Sequence, residues 1–391
     1  MTELRPTGVL LALTIVGLSS TSALAVDGKA FADRLRAVAS EQGTELAFGA
    51  VATEGETVVL SDLSLGSGEE EVELGDVRFE TVTGSTEAGW RVERIPFADV
   101  DNTRDDTRTL ATGMYIEGMT IAPPAAPGGE VLTPFQFERA GFSSIVFEQR
   151  NEEVARLGTL AITNTPTDGG GFSAGFDLDS FRIDTQRDAT SEGARTMNEL
   201  GYAELSGDIT GQAEWETTSG TLSLSPLQIS VADAGTLDFA YTISGYTPAF
   251  VQSLAALQQQ MAASPDNSEA SSMAVIGLVS QLYLNSAELS FTDQSLTGRL
   301  LDFYAARNNQ TREQLVGSLV GMLPIALSYL NNPEFQTEVS GAVESFLQNP
   351  QALTIAIAPD APVPATQIIG AAMGAPQTLP AVLDVTVTSN P

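Results

Sequence analysis

Apolar and polar positions change their rhythm along this chain, and the changes outline its elements. Between Asp27 and about Gln42, the apolar residues Phe31, Leu35 and Val38 share one helical face, with Asp27 placed to cap the first turn. From Thr44 to Asp184 the period drops to two, with regular Gly and Asn punctuation, which predicts mostly sheet. Several of these strands switch the parity of their apolar positions partway. Val72 and Leu74 give way to Val77 and Phe79 across Gly75, and Met114 and Ile116 to Met119 and Ile121 across Gly118. Phe176 and Leu178 give way to Phe181 and Ile183, and Leu222 and Leu224 to Leu227, Ile229 and Val231 across Pro226. Side chains alternate faces along a strand, so a straight strand cannot switch parity without burying its polar face. A bulge, a kink or a short turn has to intervene, and repeated bends make a sheet curl.

The second half alternates strand and helix. Strands are expected at Leu237–Ile243, Ala287–Phe291 and Leu353–Ile357, followed by helices at Ala249–Ala263, Leu296–Arg307 and Ala365–Met373. A last strand is expected at Leu383–Val387. Further helices are expected from Ser268 to Leu284, from Thr311 with Gln314 completing a capping box, and from Pro333 to about Asn349. The stretch Leu315–Leu330 carries no charge and is apolar on nearly every side. It is short of the ~20 residues of a membrane span and contains Pro324, so it is expected as a buried core helix. Gly317 and Gly321 would let such a helix pack closely. The expected fold is α+β: a long, strongly curved antiparallel sheet with the C-terminal helices packed on its concave face. A mainly β half, residues 26–200, would continue into a mixed strand–helix half, residues 201–391.

The N-terminus changes the picture. Arg5 precedes an apolar run from Val9 to Leu18, and Ala23-Leu24-Ala25 has the small-x-small form of a signal-peptidase site. Residues 1–25 are therefore expected to be a signal peptide cleaved after Ala25, leaving no integral membrane span. No cysteine follows, which fits a periplasmic address without disulfides.

Composition narrows the chemistry. The chain has 50 Asp+Glu against 18 Lys+Arg, a formal charge of −32, and no His or Cys. Its acids are dispersed, no basic residue lies between Arg195 and Arg299, and none follows Arg312. Such a surface repels nucleic acid. Ser-His-Asp and Cys-His catalysis, zinc held by His or Cys and thiolate clusters all need absent side chains. Lys29 is the sole lysine available to a Ser-Lys dyad or a Schiff base.

Four motifs invite a chemical reading, and each has a plainer one. The run Asp99–Asp106 has Arg104 where a calcium loop needs Gly and Leu110 where it needs Glu, so a solvated turn is expected. Asp177 and Asp179 lie ~7 Å apart by strand rise, a spacing that suits paired glycosidase acids but belongs to any D-x-D in a strand. Trp90 and Trp215 are read as sheet-buried rather than sugar-stacking. Gly169-Gly170-Gly171 lacks a following helix start or Lys, so it is read as a loop and not a phosphate cradle. No catalytic, cofactor-binding or metal-ligating residue is assigned.

The runs LSFTDQSLTGRLLDFYAARNNQTREQLVGSLVGMLPIAL (from Leu289) and SFLQNPQALTIAIAPDAPVPATQIIGAAMGAPQTLPAVLDVTVTSNP (from Ser345) resemble uncharacterised exported alphaproteobacterial proteins. More distantly, GTLSLSPLQISVADAGTLDFAYTISG (from Gly220) is similar in style to AsmA-like and YdgA-like envelope proteins, which carry long curled sheets. The resemblance implies envelope maintenance or movement of lipid along a groove, and supplies no catalytic residue. The short chain without an anchor departs from the large AsmA-like proteins and weighs against bridging two membranes. Two expectations follow for partners: a lipid or other amphiphile in the curved sheet, or an envelope protein docked on a non-catalytic module with a filled core. In the second, the protein's own helices, above all Leu315–Leu330, occupy the concavity. A carboxylate-based glycoside hydrolase is the remaining alternative.

Overall fold

The computed structural model describes residues 26–41, 43–66, 71–104, 106–125, 134–167, 171–187, 191–263 and 268–390. The expected signal peptide 1–25 and its cleavage point, like Gly169 and Gly170, lie outside the described residues. Helix α1 (Gly28–Glu41) forms where expected, with Asp27 Oδ1 accepting the Ala30 N–H at 2.9 Å. Phe31, Leu35 and Val38 are buried on its inner face.

The chain then builds strands β1 (Leu46–Ala47), β2 (Ala50–Glu54), β3 (Thr57–Leu65), β4 (Val72–Ser85), β5 (Gly89–Pro96), β6 (Val100–Arg104), β7 (Thr107–Thr112) and β8 (Tyr115–Ile121). β9 (Phe135–Gln136), β10 (Arg139–Phe142), β11 (Ser144–Gln149), β12 (Glu152–Leu157), β13 (Leu160–Pro166) and β14 (Phe172–Asp184) follow. Helix α2 (Glu192–Glu199), which the apolar pattern does not announce, leads to β15 (Glu204–Glu216), β16 (Thr221–Val231) and β17 (Gly235–Ser244). The remainder is α3 (Pro248–Ala263), α4 (Ser268–Val279), β18 (Tyr283–Asp293), α5 (Leu296–Arg307), α6 (Arg312–Ala326), α7 (Pro333–Gln348), β19 (Ala352–Ile357), β20 (Val363–Pro364), α8 (Ala365–Gly374), α9 (Leu379–Val382) and β21 (Val385–Ser389). The sheet is entirely antiparallel among the described residues, and no pairing there closes it into a barrel.

Its spine runs β2–β3–β4–β5–β8–β10–β13–β14–β15–β16–β17–β18–β19–β21. A branch, β6–β7–β11–β12, joins the same edge of β14 that β13 occupies. The fork sits at the irregularity between Leu178 and Phe181, where β13 pairs up to Leu178 and β12 begins at Phe181. All four parity switches read from the sequence fall on such irregularities. Gly75 (φ 68°) and Gly118 (φ 64°) adopt left-handed backbone within their strands, and registers shift at Leu178/Phe181 and Leu224/Leu227. A left-handed residue or a bulge rotates the next side chains to the other face and bends the strand.

The largest core lies under α1, where Phe31 packs edge-on against Phe79 and Trp90 at 5.2 and 5.7 Å, above Val58, Leu60, Val92 and Ile121. Smaller clusters join α2 to α5, α3 to α4, and α5 to α6 and α7. At the far end, α7 covers the sheet: Phe346 meets Phe291 at 6.4 Å, and Glu338 accepts the Val387 N–H at 3.0 Å. That bond satisfies one outward N–H of β21, at the middle of the strand.

Several expectations are corrected. The helix over Leu315–Leu330 is not buried in the core. It packs on α5 and α7 through Leu315, Val316 and Val320, while Leu319, Met322 and Ile325 face outward, because α7 takes the place on the sheet. A Cβ on Gly317 or Gly321 would touch nothing, so these glycines serve no close packing here. Helix α4 ends at Val279, as the clean alternation of β18 begins at Tyr283. Leu383 lies at the C-cap of α9, and the last strand starts at Val385. Within Asp99–Asp106, Val100–Arg104 is a strand paired with β7, because Arg108 clamps Asp101 at 2.6–2.7 Å.

Candidate functional site

Residues directly opposite one another in adjacent strands project from the same face, so cross-strand register traces that face along the sheet. One row runs Ile95, Ile116, Ala140, Ile162, Phe176 and Gly211. It continues through Leu227, Phe239, Leu289, Ile355 and Val387. Eleven strands contribute to this row and none contributes a polar side chain. A parallel row, Phe142, Leu160, Leu178, Ile209, Ile229, Leu237, Phe291 and Leu353, widens the stripe.

The stripe is covered at its ends and open between them. Ile95 is buried near α1 and Val387 beneath α7. Phe239, Leu289 and Ile355 are 36%, 42% and 40% exposed, so no helix among the described residues fills this stretch. A continuous apolar surface left to water is uncommon among soluble proteins, which makes this stripe the candidate site.

Two cavities deepen the α1 end. One of about 540 Å³ lies between α1 and the sheet, against Leu35, Val38, Phe79, Ile116, Met119 and Phe135. A second of about 790 Å³ shares Leu63, Leu74 and Phe97 with it and reaches Ala140, Phe142, Leu160 and Ile162 of the stripe. Each falls within the ~300–1,000 Å³ typical of small-molecule sites. The outer cavity is rimmed by Asp62, Glu71, Glu73 and Asp99, and no described basic residue lines it. Its mouth is anionic.

The opposite face carries cross-strand ion pairs. Glu117 joins Arg94 and Arg139 on the two neighbouring strands at 2.7 Å each, and Glu153 joins Arg182 across to β14 and Arg156 within its own strand, at 2.5 Å each. The Arg156 hydrogen bond, followed by that from Arg182, holds the Glu153 carboxyl down at about 2. These ladders pin register, and with it the parity that keeps the apolar row on one side.

Most of the chemically suggestive residues have structural roles, although the buried Trp90 Nε1 has no hydrogen-bond partner. Asp177 pairs with Ala161 and Thr210 on the face opposite Phe176 and Leu178. Asp179 sits in the irregularity, its carboxylate accepting from the Ser180 hydroxyl at 2.9 Å and the Thr159 N–H at 2.8 Å. The Ser180 bond, with those around Thr159, lowers its pKa, which suits a fixed acceptor and not a proton donor. Trp90 and Trp215 are buried, and Trp215 Nε1 donates to the Tyr246 carbonyl at 2.7 Å. Lys29 is exposed and bonds Asp33 at 2.7 Å, which raises its pKa, opposite to the direction that makes a lysine nucleophilic. Asp99 accepts the Gly113 N–H, and no cluster of three or more acids among the described residues is arranged to hold a metal ion.

Sequence reasoning found the stripe's strands except β15, which no expectation covered, and did not find the cavity under α1. Phe97 and Met114 carried a signal, since they extend the parity of Ile95 and Ile116 beyond the strand ends. A protein-family profile whose description is "Uncharacterized protein" matches residues 228–390, from within β16 to the end of β21. No curated protein matches the chain. The matched segment contains the exposed part of the stripe and the whole α5–α6–α7 assembly.

Proposed function

We propose that this is an exported, non-catalytic envelope protein that holds the apolar portion of a lipid or similar amphiphile along the open stripe, with the cavity under α1 receiving one end. The observation that carries this reading is the eleven-strand apolar row whose middle stands open to water. Its likeness in style to AsmA-like and YdgA-like proteins and its signal-like N-terminus point the same way.

Magnitudes favour a long chain. Burying methylene groups contributes about 0.8 kcal/mol each, so ten contribute about 8 kcal/mol. That equals the whole free energy of a micromolar complex, before association costs of roughly 4 kcal/mol or more are met. The acidic rim of Asp62, Glu71, Glu73 and Asp99 repels a carboxylate or phosphate monoester and accommodates a zwitterionic or neutral headgroup. The test is uptake of a fluorescent choline-headgroup lysolipid by the wild type and by a Phe239→Glu/Ile355→Glu variant, whose two substitutions lie a strand apart and so do not face each other across one pair. Both positions are partly exposed, so the variant is expected to fold normally and to lose at least tenfold in affinity. Equal uptake by the two proteins, or none by the wild type, contradicts the reading.

A further inference from the structure

A helix that is apolar all round belongs either inside a protein or inside a membrane. The segment Arg312–Leu330, which is α6 with its 3₁₀ extension Leu327–Leu330, is long and apolar enough to meet a bilayer, yet only 6% of it is buried in the fold. Leu319, Met322, Ile325 and Tyr329 follow one another at helical spacing on its outer side, and the last three are 62%, 74% and 66% exposed. Tyr329 Oη donates to the Ala372 carbonyl at 2.6 Å, which brings α8 and its 84% exposed Met373 beside this side.

The sheet excludes a crossing. A single passage through the bilayer would leave β18, before α6, on one side and β19, after α7, on the other, whereas these strands pair from Ala287↔Ile357 to Thr292↔Ala352. Charge decides between the remaining occupants. A second copy would bring another −32 against the first, and anionic lipid would meet a chain with no basic residue beyond Arg312. An uncharged or zwitterionic leaflet meets neither penalty.

We propose that the outer side of α6, with Tyr329 and Met373 at its end, inserts into the surface of a zwitterionic lipid membrane without crossing it. This docking is independent of what occupies the apolar stripe. The test is flotation of the purified protein with phosphatidylcholine vesicles and with phosphatidylglycerol vesicles, alongside a Met322→Glu/Ile325→Glu variant. Both residues are exposed, so urea unfolding of the variant should match the wild type. Expected are binding to phosphatidylcholine, weaker binding to phosphatidylglycerol at low salt, and at least a tenfold loss in the variant. The proposal is overturned if the wild type does not float with phosphatidylcholine, if the variant floats equally well, or if the variant's only effect is to dissolve a wild-type dimer.

Discussion

Arg34 is buried, and its guanidinium spans three partners. Nε donates to the Ala122 carbonyl at 2.9 Å, while the terminal nitrogens reach Glu41 at 2.7 Å and the Pro123 carbonyl at 3.3 Å. It ties α1 to the end of β8, and so sets the roof of the apolar cavity. Arg34→Met should cost about 1–2 kcal/mol in urea unfolding, because two half-buried carbonyls lose their donor. An unchanged midpoint would mean that α1 is held by its apolar face alone. Glu153 makes a second prediction. Its folded pKa is depressed to about 2 from 4.5, so its contribution is present above the unfolded value and is lost as pH falls through the folded one. The stability difference between the wild type and Glu153→Gln should therefore shrink between about pH 4.5 and 2. Its arginine partners are largely exposed, so the effect should stay below about 1 kcal/mol. Neither role was legible in the sequence: Arg34 sits at an ordinary helical position, and its partner Ala122 lies 88 residues away.

At the scale of elements, Gly118 argues most directly that the sheet's bends are encoded locally. It has φ 64°, and a Cβ there would lie 2.5 Å from the Glu138 carboxyl carbon. Gly118→Ala should destabilise by about 1–2 kcal/mol, with most of the cost in the left-handed backbone because the Glu138 side chain can move. A neutral result in thermal or urea unfolding would show that the bend does not need this residue. The bends were readable because alternation along a strand is strict, so each parity switch demanded an irregularity. The placement of α6 was not readable. Leu315–Leu330 is apolar on almost every side, and such a pattern carries no direction telling which neighbour covers it. Helix α2 escaped for a different reason: Glu192–Glu199 is only eight residues long, and its apolar face, Ala194 and Met197, is too short to stand out as a helical period. The strand within Asp99–Asp106 escaped because all five residues of β6 are exposed.

For the whole molecule, the apolar stripe was legible in part as a set of residues, Ile116, Phe176, Leu227, Phe239, Leu289, Ile355 and Val387, but not as an open surface, because Phe239, Leu289 and Ile355 read the same whether covered by a helix or by water. What distinguishes the cases is how far the C-terminal helices reach, which depends on α7 covering the last strands and on α6 turning away from them. If the stripe holds an acyl chain, affinity for choline-headgroup lysolipids should rise about fourfold per added methylene, following about 0.8 kcal/mol each, until the chain outgrows the groove. Titrations across a chain-length series check this, and a flat series would place the binding energy elsewhere. The most direct measurement is native mass spectrometry of the protein recovered from its own cells, before and after solvent extraction. The account predicts a mass above that of the polypeptide by one amphiphile, removed by extraction and restored by a long-chain lysolipid. A bare polypeptide mass in every condition, including excess lysolipid, would contradict it.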